Sequence, residues 1–417
     1  MSDITSSDQA FPFGSPAQPT FPAAGGSESS PVVHDPADVF LSDGAAPDSA
    51  QDDTLPIPGP GIPEALLWMI GMLVVHLIGS MIAGLFVVLS HLSTLSSPPS
   101  TPQQWAAEAT AALQGIPQDP SKMLTLMTGE MGFFVVVAVI AVAMRLGVKT
   151  SGRRLGLTPI PPAHFMLIMA TAIPLSLMCG AFHQATTEVW NNTAARWPLF
   201  EGFEGMDVNE TLAPLGEHAP LWLLVLVVAV APAIGEEVVF RGVIGRGLIA
   251  RHGLMAGVAM TSLMFAAVHI HPAHAIALLP LAFFIHLVYL ATRSFWAPVL
   301  LHLLNNSLAA VLLNFASRLE GSGLAEENAV PLALVLVSGA IVAMSAVALW
   351  KSRLEYRRES DGSLWNPGYD TVEVPPESAG AVAVHRDRPA TLIALTIVFG
   401  ALYTAAFVGS VVIALSQ

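Results

Sequence analysis

Apolar residues in this chain gather in continuous blocks of about twenty, the length of helix that crosses a hydrocarbon core of roughly 30 Å. Nine such blocks can be drawn, at about 64–90, 123–145, 163–183, 220–240, 254–270, 274–292, 296–315, 331–350 and 390–415. Leu, Ala, Val and Met dominate them, without the strict alternation that marks a transmembrane β-barrel. A helix satisfies its own backbone hydrogen bonds in lipid, so continuous blocks imply helices. The pattern predicts an all-α fold, a polytopic transmembrane helical bundle of about nine spans.

The polar connections test that count, because Lys and Arg in short loops mark the cytoplasmic side. Arg145, Lys149, Arg153 and Arg154 follow the second block; Arg241, Arg246 and Arg251 follow the fourth. Arg293 follows the sixth, and Lys351, Arg353, Arg357 and Arg358 follow the eighth. The odd loops are poor in basic residues or acidic, notably 184–219, where Glu188, Glu201, Glu204, Asp207, Glu210 and Glu217 face only Arg196. This alternation fits nine spans with a cytoplasmic amino terminus in a multi-pass protein of a bacterial-type plasma membrane.

Composition changes the picture at the ends. Of 417 residues 53% are apolar and 12% charged, and the net charge of -14 is uneven: residues 1–56 hold nine Asp or Glu and no Lys or Arg. Such an acidic balance excludes nucleic acid as a partner. The same stretch is rich in Pro, Ser and Gly and cannot bury enough apolar surface to order itself, so 1–60 is expected to be a disordered tail. It lacks the basic start and apolar core of a cleaved signal peptide. Residues 61–219 then carry the first spans, 220–316 a central region, and 317–417 the last spans, with a polar, loosely structured cytoplasmic insert at 352–389. No internal repeat is visible. Cys179, the single cysteine, sits inside an apolar block and is expected to serve packing.

Candidate chemistry begins with "GEEVVFRGVIGRG", residues 235–247. A charge in lipid costs a few kcal/mol or more, so it faces protein or water and is paired. Glu237 and Arg241 are four apart with the acid on the amino-terminal side, the better order for an ion pair on one helix face. Glu236 is rotated by about 100° and has no such local partner. A carboxyl left free beside a neutralised neighbour suits a general base. The plainer alternative is a structural ion pair with a spectator Glu236.

Two more groups bear on that choice. In "FAAVH", Phe265 and His269 are four apart, so the ring can pack beside the imidazole. In "HLLNN", His302 and Asn306 project together, with Asn305 about 60° to the side. Folding the chain at His252–Gly253 places Glu236 and His269 each sixteen residues from the turn, about 24 Å along their helices. His302 lies only nine residues beyond Arg293, roughly 13 Å, so helix tilt, side-chain reach or a break near Pro298 must close the gap. His76, His91, His164, His183 and His286 read as hydrogen-bonded core residues, and His271 and His274, beside Pro272, as a short loop.

"EEVVFR", "FAAVH" and "HLLNN", in that order on successive membrane segments, resemble the three motifs of the CPBP intramembrane proteases, Glu-Glu-x-x-x-Arg, Phe-x-x-x-His and His-x-x-x-Asn. That family includes the CAAX-processing endopeptidase Rce1 and bacteriocin-immunity (Abi) proteins. The likeness spans about 222–315, under a quarter of the chain. It implies a core of eight spans resembling the Rce1 fold and an endopeptidase acting on a peptide or protein substrate in the lipid bilayer. It further implies that Glu236 and His269 activate a water, that His302 and Asn306 stabilise the oxyanion, and that Glu237 and Arg241 hold Glu236 in place. Glu236, His269 and His302 could ligate zinc, but HExxH is absent and Asn306 suits an oxyanion better than a metal, so metal-independent hydrolysis stands beside a Zn mechanism. Two further readings stay open: a non-proteolytic scaffold or immunity protein of the same fold, and a transporter using the same Glu and His as a relay, which the lack of repeats disfavours.

Overall fold

The computed structural model describes residues 59–116, 118–149, 151–194, 197–203, 212–213, 215–216, 219–315, 331–358, 381–385 and 389–416. The acidic tail, residues 1–58, and the "WNPGYDTVEVPP" stretch of the insert lie outside them.

All nine expected helices are present. They are α1 (Ile62–Ser93), α3 (Pro120–Leu146), α5 (Pro162–Ala194), α6 (Leu221–His252), α7 (Leu254–Ala267), α8 (Pro272–Thr292), α9 (Trp296–Asn314), α10 (Leu332–Lys351) and α11 (Ala390–Ser416). Eight of them are long and apolar enough to cross a membrane, so this is an integral multi-pass membrane protein. The exception is α7, whose 14 residues span only about 21 Å. Gly253 at φ 77 starts it, and Ile270 at φ 63 followed by Pro272 stops it short of the bilayer depth.

The sequence missed α2 (Pro102–Gln114), which is too short and polar for a span. Thr101 and Gln104 form a capping box at its start. A one-turn α4 (Ser151–Leu155) lies in the basic loop after α3. Two expected loops are shorter than drawn: α5 continues through Glu188 to Ala194, and α6 continues to His252, so Arg241 is a fully buried helix residue and not a loop cation. The insert is anchored by an antiparallel pair, β1 (Leu354–Arg358) with β2 (Ala381–His385), in register Leu354↔His385 to Arg358↔Ala381.

Packing forms two groups. In one, α6 meets α3, α7 and α9 around a core that includes Phe240, Ile244, Leu248 and Phe265. In the other, α5 contacts α8, α9, α10 and α11 over Leu167, Leu175, Ile285 and Leu301, with Cys179 buried among them. Lipid tails are as apolar as these side chains, so polar ties and small residues hold such helices together. Thr171 and Ser345 (2.5 Å) join α5 to α10, and Ser338 and Tyr403 (2.6 Å) join α10 to α11. α6 and α8 are the most enclosed, each with 61% of its apolar window buried, against 17% for α11, which leaves α6 and α8 to carry polar groups.

Close helix contacts rest on glycine. A Cβ on Gly257 would stand 2.5 Å from the Ile249 backbone, where α7 turns back on α6. Gly257→Ala is therefore expected to destabilise the protein by about 1–3 kcal/mol. Gly71→Ala, with nothing within 4 Å of the added carbon, should be tolerated. Thermal melts of both variants in detergent check the contrast.

Candidate active site

α6 is not a uniform helix. Two π-helical stretches, Val225–Val230 and Val238–Gly245, flank the α-helical Ala231–Glu237 that presents both carboxylates. Such i→i+5 turns widen the helix and are frequent at functional sites. They also fit more residues into each turn, so the arm from Glu236 to the fold at Gly253 is shorter than a rise of about 1.5 Å per residue gives. This closes only part of the gap in depth with His302, because the eight π-helical residues Val238–Gly245 would occupy only about 12 Å as an α-helix and the gap is roughly 11 Å. α9 starts at Trp296 and runs unbroken past Pro298, which sits in the first turn where it removes no helical bond.

Glu237 is fully buried, and its Oε1 accepts from Arg241 Nη1 (2.9 Å) and from His302 Nδ1 (2.9 Å). Arg241 donates a further bond from Nη2 to the Ala282 carbonyl of α8 (3.2 Å), and its guanidinium lies 4.5 Å from the Phe265 ring centre. One carboxylate thus ties α6 to α9, and its arginine ties α6 to α8 and α7. The hydrogen bonds of Glu237 run to Arg241 and His302, and Arg241 also acts on Glu236 through its charge.

Glu236 points elsewhere. It is 7% exposed, and its Oε2 is buried with no hydrogen-bond partner among the described residues. It lies close enough to His269 and to Arg241 to act on both electrostatically. Oε2 of Glu237 likewise has no hydrogen-bond partner among them, so the two carboxylates differ in that Oε1 of Glu237 holds Arg241 and His302.

His269 is not on α7 but on the turn that ends it. There its amide bonds Ala266 (3.2 Å), which frees the Phe265 carbonyl, and His269 Nδ1 takes that carbonyl at 3.0 Å. With Nδ1 as donor the neutral ring keeps its lone pair on Nε2. Phe265 stands between the two imidazoles, 5.4 Å from His269 and 5.8 Å from His302, and Phe240 closes its edge at 5.2 Å. The second face of His269 meets His274 at 5.3 Å, and His274 meets His183 at 5.1 Å. Sequence spacing had set these two apart as loop and core. Only the return of α8 alongside α5 brings them beside His269, a relation of residues about ninety positions apart.

Asn306 donates from Nδ2 to the Val228 carbonyl of α6 (3.0 Å), which leaves its second amide hydrogen. Asn305 donates to Asn306 Oδ1 (3.1 Å) and accepts from Ser176 of α5 (2.8 Å), which fixes the amide's orientation. Asn305 is the residue that helix geometry had turned aside, and the turning is what lets it reach α5. Of the remaining histidines, His164 bonds Ser352 (2.9 Å) and His91 meets Glu108 (3.0 Å). Among the described residues no group of three or more His, Cys, Asp or Glu is placed to hold a metal ion. Nδ1 of His269 is taken by the Phe265 carbonyl and Nδ1 of His302 by Glu237, so Nε2 is the nitrogen each ring would offer a metal.

Removing Arg241 takes the guanidinium away from a fully buried carboxylate. Arg241→Met should therefore cost about 3–5 kcal/mol, whereas the double change Arg241→Met with Glu237→Gln should recover much of the loss. Thermal unfolding of the two variants in detergent checks the difference.

No curated protein and no solved structure matches the chain. A family of known proteins matches the part that holds the site. This part comprises α6, α7, α8 and most of α9, and it contains Glu236, Glu237, Arg241, His269, His302 and Asn306 together. Residues 218–308 are Rce1-like, matching the family described as Type II CAAX prenyl endopeptidase Rce1-like.

Proposed function

We propose that this protein is an intramembrane endopeptidase that hydrolyses a peptide bond of a membrane-associated substrate, with Glu236 as the general base. The observation that carries the reading is the buried Glu236 carboxylate, unpaired at Oε2 and facing His269, on an Rce1-like segment.

In this reading a water between Glu236 and His269 loses its proton to Glu236 and attacks the scissile carbonyl carbon. His269 orients that water through Nε2, since Nδ1 is tied to the Phe265 carbonyl. The carbonyl oxygen becomes an oxyanion, which the free hydrogen of Asn306 can bind. His302 can bind it too as an imidazolium, because its Nδ1 already donates to Glu237 and only a protonated ring carries a second N–H. When the C–N bond breaks, the proton held by Glu236 passes to the leaving nitrogen. Glu237 and Arg241 act as positioning residues for His302, and the basic loops face the cytoplasm in the orientation that fits their charge.

Glu236→Gln should abolish cleavage, with a loss of at least about a thousandfold, while insertion and thermal stability stay close to those of the wild type. The measurement is terminal-peptide mass spectrometry of membranes holding wild type or variant. A phenotype that survives Glu236→Gln with no change in cleaved peptides would refute proteolysis and favour a scaffold or immunity role. A strong chelator added to active wild type is expected to leave turnover unchanged. Chelator inhibition that zinc restores would replace this metal-independent step with a metal mechanism.

A further inference from the structure

The basic end of α6 holds a second charged arrangement, separate from the carboxylates. α4 docks there: Leu155 packs on Gly242, where an added Cβ would come within 2.5 Å of the leucine, and the Leu155 carbonyl accepts from Tyr289 Oη (2.9 Å). The neighbouring residue, Arg154, is thereby held against α6. Its Nη1 donates to the Arg145 carbonyl (3.0 Å), and Arg246 Nη1 donates to the carbonyl of Arg154 itself. Arg251, one turn on, donates to the Gly59 carbonyl (3.3 Å).

Among the described residues these cations have no carboxylate of their own. The nearby carboxylate, Glu64, is taken by Arg145, which holds it through Nε and Nη2. Arg154, Arg246 and Arg251 make no ion pair among the described residues, and their hydrogen bonds run to carbonyls, which carry only partial charge. Arg154 Nε is buried with no partner. Arg154 and Arg246, both half-buried, sit near enough to repel each other. Two partly desolvated guanidiniums in mutual repulsion, at the end of membrane helices, are a site without its counter-charge.

We infer that Arg154 and Arg246 bind a phosphate group, and that at this level of the protein its source is the headgroup of an anionic membrane lipid. A guanidinium matches phosphate oxygens with paired N–H donors, and helix ends with Lys and Arg lie where headgroup phosphates are concentrated. The bound phosphate takes up the Arg154 Nε hydrogen and cancels the repulsion between the two arginines. It also links α4 to α6 on the helix that carries Glu236.

The test uses full-length protein stripped of lipid in detergent, with lipid binding followed by native mass spectrometry and thermal shift. Phosphatidylglycerol is expected to bind and stabilise it more than phosphatidylcholine does. The double variant Arg154→Gln with Arg246→Gln should weaken that binding roughly thirtyfold, from about fivefold for each cation. Lys149→Gln, which removes an exposed charge from the same loop, should leave binding unchanged. If the Gln pair fails to fold, Arg154→Lys with Arg246→Lys keeps the charge but loses the fork, and is expected to bind with intermediate strength. Equal binding of the two lipids overturns the proposal, as does an equal loss in Lys149→Gln, which would mean diffuse charge and no site. Inorganic phosphate that stabilises the protein as well as the lipid does would overturn the lipid source and make the ligand a soluble anion.

Discussion

A carboxylate that must be buried in a membrane protein needs its charge answered on the spot, and Glu237 meets that demand with two partners at once. Arg241 supplies the full positive charge and His302 a directed N–H, both at Oε1. Because the cost of an unanswered charge in lipid is several kcal/mol, these three residues cannot drift apart without penalty. Their mutual constraint fixes α9 against α6, and through Arg241 and the Ala282 carbonyl it fixes α8 as well. The rest of the site is built on this frame.

The adjacent carboxylate gains its character from the same frame. Arg241 is committed to Glu237, so Glu236, one residue earlier, has a buried oxygen with no partner. Neighbouring positions on one helix thus differ in role because helix geometry turns them about 100° apart, one towards the ion pair and one towards His269. The π-helical turns on either side of this pair widen α6 where α9 approaches, with Val228 of the first such stretch accepting from Asn306. The proposed function is built on an acid with an unbonded oxygen, two imidazoles held at Nδ1 and an amide with one free hydrogen.

At the basic end of α6 the same electrostatic accounting gives the opposite result. There, among the described residues, the cations outnumber the anions, and carbonyl dipoles satisfy only part of each guanidinium. One helix therefore poses complementary problems, an acid with an unbonded oxygen near its middle and, among the described residues, cations without an acid at its end. The first suits proton transfer, and the second suits an external phosphate.

Much of this was legible in the sequence because hydrophobic length and helical spacing are local properties. Blocks of about twenty apolar residues gave the helices, and spacing of four gave the Glu237–Arg241 pair and the Phe265–His269 neighbourhood. The isolation of Glu236 followed from the same spacing. Long-range facts were not legible. That α7 would stop at 14 residues, that His269 would sit on its terminating turn, and that α6 would contain π-helical stretches depend on how backbone groups are satisfied after the helices meet. The second partner of Glu237, the His183–His274–His269 row and the reach of Asn305 to Ser176 join residues 65, 91 and 129 positions or so apart. The chain by itself determined which residues could share a helix face. Only tertiary packing, driven by the need to pair each buried polar group, decided which faces would meet.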